Sequence, residues 1–169
     1  MSLSPYQITL SKDSNNYYFS TESGLAYTVY ADRRSNIFPL EEIDRNAIYI
    51  GFTCVPAKAL FEREYDPRVG LTVMAIVASL IRENPKFIIT YVCSPKDGQA
   101  RQRSIAFSRW YNESPLEKTV KLKKRIFESH AYCGVLYRKN HPNIDDIEIA
   151  LQDFNPGDKF NPVIVSEPI

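Results

Sequence analysis

Two apolar runs separated by one long helix constrain this chain more than any other feature. Residues 47–54 read AIYIGFTC and residues 87–93 read FIITYVC. Runs this continuous fit strands covered on both faces rather than strands with one wet side. Between them, Asp66 and Pro67 make a helix start, the carboxylate as N-cap and the proline at the first helical position. Pro85 stops that helix after Asn84. Thr72, Ala75, Ser79 and Arg82 mark its wetter stripe, and Val73, Met74, Ile76, Val77, Leu80 and Ile81 cover most of the remainder. A helix so widely apolar packs on a sheet and is largely buried. Residues 87–92 are therefore predicted to be a central strand, because so apolar a strand on a sheet edge would invite aggregation.

The flanking regions extend the sheet. Residues 17–20 and 25–31 read as strands on either side of a Glu22-Ser23-Gly24 turn, and residues 6–10 as a further edge strand. Residues 32–46 are polar, contain Pro39 and read as a loop with one helical turn; residues 56–66 are a charged connector. Ser94-Pro95-Lys96-Asp97 has the spacing of a capping box with proline at its first position, which starts a helix toward Tyr111 or Asn112. In residues 118–127, alternation at Val120 and Leu122 favours a strand, although Leu122 and Ile126 also fit helical spacing. Residues 131–139 and 147–154 are predicted strands joined by a hairpin loop at Asn140-His141-Pro142-Asn143. The expected architecture is one α+β domain over residues 1–155, a mixed, mostly antiparallel sheet with two main helices. Residues 156–169, with Pro156, Pro162 and Pro168, are expected to be an extended tail.

Composition removes several classes. A length of 169 residues suits one domain, and 44 % hydrophobic with 24 % charged residues excludes a disordered chain, a collagen and a coiled coil. Residues 1–6 have neither the basic nor the apolar region of a targeting segment. The apolar stretch 69–81 is too short to span a bilayer, so no membrane partner is expected. Cys54, Cys93 and Cys133 are widely spaced, without CxxC or Cys/His ligand spacing, so no metal is expected. Three free thiols suit a reducing cytoplasm.

The net charge of +1 names no partner. Its distribution is uneven: residues 96–139 carry 11 basic and 4 acidic side chains, residues 140–169 carry 1 and 6. The plainer outcome is that the acidic segment lies beside the basic one and neutralises it. The other is a basic surface of Lys118, Lys121, Lys123, Lys124 and Arg125 that meets a protein or a nucleic acid. Aromatic residues interleave with basic ones at Trp110-Tyr111, Phe127, Tyr132 and Tyr137, and stacking on bases would need those rings exposed.

Two single residues are candidate sites. Arg103 falls within the apolar arc of Ala100, Ala106, Phe107, Trp110 and Tyr111 at about 100° per residue. A cation facing the core must be paired or bind an anion. A structural partner is expected from another element, Glu128 or the acidic terminal segment, rather than from Asp97. Cys93 closes a buried strand just before a helix start, a place where a thiol can be activated as a nucleophile, with His130 returning beside it. The alternative is an inert core thiol that labels slowly. His141, in its turn, is read as structural. No Walker loop, Rossmann glycine pattern, HExxH or GxSxG is present.

The order strand, strand, strand, helix, strand, helix, strand, strand from Tyr17 to Phe154 resembles the GNAT acyltransferase superfamily. In that family a Q/R-x-x-G-x-G/A turn opens the helix that receives the CoA pyrophosphate. Aligning Gly70 with its first glycine sets Pro67 at the Gln/Arg position and Thr72 at the second small position. The resemblance thus implies acyl-CoA contacts at Arg68, Val69, Gly70, Leu71 and Thr72. It also implies that Tyr111, at the end of the second helix, protonates the departing thiolate; the alternative for Tyr111 is a core aromatic. The segment TYVCSPKDGQARQRSIAFSRWY is similar to part of an uncharacterised bacterial protein family. The leading expectation is a divergent or catalytically inactive acyl-CoA-dependent N-acyltransferase. The alternatives are a non-enzymatic protein- or nucleic-acid-binding module using residues 118–125, and a thiol enzyme centred on Cys93.

Overall fold

The computed structural model describes residues 2–33, 38–56, 64–95, 97–114, 116, 118–126 and 129–154. Among these residues the strands are β1 (Thr9–Leu10), β2 (Asn16–Ser20), β3 (Ala26–Asp32), β4 (Ala47–Val55), β5 (Ile88–Cys93), β6 (Thr119–Ile126) and β7 (Ala131–Arg138). The helices are α1 (Glu41–Asn46), α2 (Pro67–Glu83), α3 (Ala100–Glu113) and α4 (Ile144–Asp153). One sheet has the order β1-β2-β3-β4-β5-β7-β6. Every neighbouring pair is antiparallel except β4 and β5, which run parallel. Parallel strands need a crossover between them, and α2 supplies it. This is the mixed α+β architecture expected, with β5 central and Ile88 and Ile89 fully buried.

Strand alternation sorts the core into two layers. Ile48, Ile50, Ile89, Tyr91 and Leu136 pack with α2 and α3 on one face. Tyr49, Ile88, Cys133, Val135 and Tyr137 pack with Ile147 and Leu151 of α4, and with Ile43 of α1, on the other. α2 alone buries nine residues. Each aliphatic side chain among them contributes about 1.5–3 kcal/mol, so this helix is a main source of hydrophobic stability.

Four sequence expectations need correction. Residues 147–154 are not a strand: nearly all of them belong to α4, where Ile147, Ala150 and Leu151 are buried at helical spacing. Isoleucine alternating with acid near Ile147 imitates a strand, but Asp145 and Asp146 fall in the first turn, where the helix dipole favours them. The hairpin is made by β6 and β7 instead. Ser94 is not the cap of the second helix. That helix starts at Ala100 after Gln99, because Gly98 at φ +73° takes the chain out of helical geometry. Within residues 6–10 only Thr9–Leu10 pair, while the Tyr6 N–H donates to Thr72 Oγ1 at 2.8 Å and ties the segment to α2. The expected tail, Lys96, Phe127 and Glu128 lie outside the described residues. Among the described residues no helix is long and apolar enough to cross a membrane, and no cluster of His, Cys, Asp and Glu could hold a metal ion.

Candidate functional site

The parallel pair opens as it leaves the N-terminal side of the sheet. β4 and β5 are in register only at Ala47↔Ile88, Ile48↔Ile89 and Tyr49↔Thr90. Beyond that point β4 follows β3 to Val55 and β5 follows β7 to Cys93. The two strands diverge and leave a slot, with a cavity of 30 Å³ lined by Gly51, Phe52, Tyr91, Cys93, Arg103 and Phe107 among others. Tyr91 packs over Gly134, where a Cβ would stand 2.5 Å from its ring. Its buried hydroxyl has no hydrogen-bond partner among the described residues.

Beside this slot, the start of α2 forms one wall of a wider cleft of 850 Å³ that also includes Tyr6, Glu22, Tyr65, Arg109 and Trp110. The first turn of α2 is closed by its own residues. Pro67 has no N–H, the Arg68 N–H donates to Asp66 Oδ1 at 2.9 Å, and the Val69 N–H donates to the Asp66 carbonyl at 3.1 Å. Tyr6 donates its hydroxyl to Asp66 Oδ2 at 2.7 Å. Burial, and then that hydrogen bond, raise the Tyr6 pKa above its ordinary value. The Arg68 guanidinium stacks on Tyr6 at 3.9 Å, donates to the Ser4 carbonyl and pairs with Glu22. Gly70 serves packing: a Cβ there would overlap the Trp110 indole, 2.7 Å from its Nε1. Leu71 lies at the helix surface beside Trp110 and Glu113. Thr72 is fully buried and accepts from Tyr6 while donating to the Arg68 carbonyl.

Arg103 and Cys93 meet at the slot. Arg103 donates to Asp97 Oδ1 at 2.7 Å and to the Ser94 carbonyl at 3.1 Å, and a second nitrogen reaches Asp97 Oδ2. The expectation that the partner comes from another element rather than from Asp97 is therefore corrected. Asp97 precedes the helix rather than lying in it, and the Gly98 turn brings it round to the arginine. The Arg103 side chain is 13 % exposed, inward-facing as expected. Its hydrogen bonds are the main cause that holds the Asp97 carboxyl below its usual range. Cys93 is 5 % exposed, and burial pushes its thiol up to about 12 despite Arg103 and Lys121 nearby. That is the opposite of an activated thiolate. His130 is exposed in a turn at φ +56°, whereas Cys93 is buried. His141 is buried, bonded to the Lys86 carbonyl at 2.9 Å.

Tyr111 donates its hydroxyl to the Thr119 carbonyl at 3.1 Å, joining α3 to the start of β6. The basic residues divide by strand alternation. Lys121 turns toward α3, donates to Ser108 Oγ at 2.7 Å and lies over the Tyr111 ring; desolvation lowers its pKa. Lys123 and Arg125 share that face, and Lys118 is exposed at φ +61° ahead of it. Lys124 turns the other way and donates to the carbonyls of Gln152 and Phe154, capping the C-terminus of α4.

Sequence reasoning missed Tyr6, Glu22 and Asp97. Asp-Gly at 97–98 is a turn signal that could have found the last; nothing local in the sequence announces that Tyr6 and Glu22 converge on Asp66 and Arg68. No curated protein and no solved structure matches the chain. One family model matches residues 65–155, from just before α2 to just after α4 and more than half of the chain, and its family is described only as one of unknown function. The match takes in α2, β5, α3, the β6–β7 hairpin and α4 but not β4, and the chain belongs to the family of unknown function DUF6169.

Proposed function

We propose that this protein is a divergent, GNAT-like member of the acyltransferase folds that does not use acyl-CoA and works by binding rather than transfer. The likeness is supported by the strand order, by α2 crossing between parallel β4 and β5, and by the slot where those strands part. The observation that carries the functional half is the self-closed first turn of α2. A pyrophosphate at a helix start needs free N–H groups and a positive end to the dipole. Here Pro67 removes one donor, Asp66 takes the next two, and the carboxylates of Asp66 and Glu22 occupy the approach. Arg68 offers charge, but its guanidinium is held by Ser4, Glu22 and Tyr6.

The remaining chemistry points the same way. A thiolate-protonating role for Tyr111 would require its hydroxyl to leave the Thr119 carbonyl, and Cys93 is buried, which disfavours its thiolate. Isothermal titration with acetyl-CoA tests the reading. The expected result is no saturable heat up to about millimolar ligand, an affinity weaker than roughly −4 kcal/mol. Saturable micromolar binding would overturn it and restore the enzyme.

A further inference from the structure

The outer edge of β6 carries a feature that the cleft does not use. The Lys139 N–H donates to the Lys118 carbonyl at 2.8 Å, and these residues stand opposite each other just beyond the β6–β7 ladder. Opposed residues in an antiparallel ladder alternate between bonded and unbonded pairs. Even-numbered residues of β6 therefore bond to β7, and Lys121 and Lys123 turn N–H and C=O away from the sheet. Thr119 has the same phase, and its carbonyl accepts from Tyr111. No described strand pairs with β6 on that side.

The side chains of this edge are basic and are not neutralised by α4. Lys121, Lys123 and Arg125 lie on the α3 face, with Arg125 over Tyr132 at 5.9 Å. The Tyr111–Thr119 and Ser108–Lys121 contacts run α3 antiparallel to β6, so Arg101, about two turns before Ser108, lies toward the Lys123 end. The acids of α4 are on the opposite face of the sheet, the face toward which Lys124 turns to meet that helix. Among the described residues no carboxylate pairs with Arg101, Lys121 or Lys123.

We propose that this edge docks an extended acidic segment of another protein, which adds a strand through the backbone of Lys121 and Lys123 and sets its carboxylates against those two side chains. Main-chain bonds supply affinity in such strand addition, and alternate side chains supply selectivity. A second copy of β6 is disfavoured, because pairing like with like opposes lysines to lysines and arginine. Nucleic acid is disfavoured because stacking needs exposed rings, whereas Trp110 is buried and Arg125 lies over Tyr132. The inference stands whichever way acetyl-CoA binding is decided.

The probe is a fluorescein-labelled, end-capped peptide as long as β6, alternating Glu with Thr, followed by anisotropy at low salt. Saturable binding is expected. It should weaken by about tenfold or more in Lys123→Glu, persist in Lys123→Arg, and fall with added salt. It should also weaken about tenfold when one alternate set of peptide amides is N-methylated, with charge unchanged, because those N–H groups complete the ladder. Circular dichroism shows whether Lys123→Glu remains folded. Absence of binding, indifference to N-methylation of either set, or tighter binding of a single-stranded oligonucleotide of equal charge would each overturn the proposal.

Discussion

α2 and α3 follow neighbouring strands onto the same face of the sheet, yet their first turns are built in opposite ways. Asp66 sits at φ −112°, ψ 102°, extended, so its carboxylate folds back onto the Arg68 N–H and closes the turn. Gln99 sits at φ −108°, ψ 14° and makes no side-chain cap. The nearest acid there, Asp97, accepts from the Gln99 N–H at 3.1 Å, outside the helix, and also pairs with the Arg103 guanidinium. An acid at the N-cap itself closes the first turn, whereas one two residues earlier bonds outside the helix and leaves charge for a cation further along. The first arrangement takes up the Arg68 and Val69 N–H groups at the start of α2, and the second brings a neutralised arginine to the edge of the slot.

The contact between the two helices gives the largest expected effect. Gly70→Leu should lower stability by about 3 kcal/mol, because its side chain must displace the Trp110 indole. Trp110→Ala in the same chain should restore part of that loss, and urea unfolding of the double-mutant cycle reads the coupling. Additive losses would mean that Gly70 does not hold the helices together.

The charged pairs come next. Arg103→Met should cost roughly 1–2 kcal/mol, since Asp97 is left without its cation but remains partly exposed. The sign with pH follows from the lowered Asp97 carboxyl. Its folded pKa lies below the unfolded value, near 3.8, so its contribution is complete above that value and is lost as pH falls through the folded one. In Asp97→Asn the decline in melting temperature below pH 3.8 should therefore be shallower than in the parent. Asp66→Ala should cost about 1 kcal/mol, the loss of one N-cap. Gln99→Ser should change stability by less than about 0.5 kcal/mol, because at ψ 14° the hydroxyl cannot reach the first turn. A larger gain from that serine would erase the distinction between the two starts.

What the sequence made legible were features with local causes. Asp66-Pro67 and Pro85 bound α2 within a residue of where the chain bends, and the two apolar runs are the strands on either side of it. Arg103 was placed on the correct face by helical phase alone. Its partner was not, because the helix start was moved to Ser94 and the Gly98 turn was overlooked. α4 was misread because Ile147 and Ile149 alternate with acids, a local pattern that tertiary packing on β7 overrides. The convergence of Tyr6, Glu22, Asp66 and Arg68 joins residues more than forty positions apart. No period or spacing encodes such a contact, so the closure of α2 became visible only in three dimensions.

That closure is the centre of the functional account, and the backbone amides of Arg68 and Val69 report on it directly. A nitrogen-15 correlation spectrum followed through an acetyl-CoA titration should leave these two resonances in place, because Asp66 already holds both N–H groups. Saturable shifts at those amides, growing when Asp66→Ala opens the turn, would contradict the account and assign the start of α2 to the cofactor.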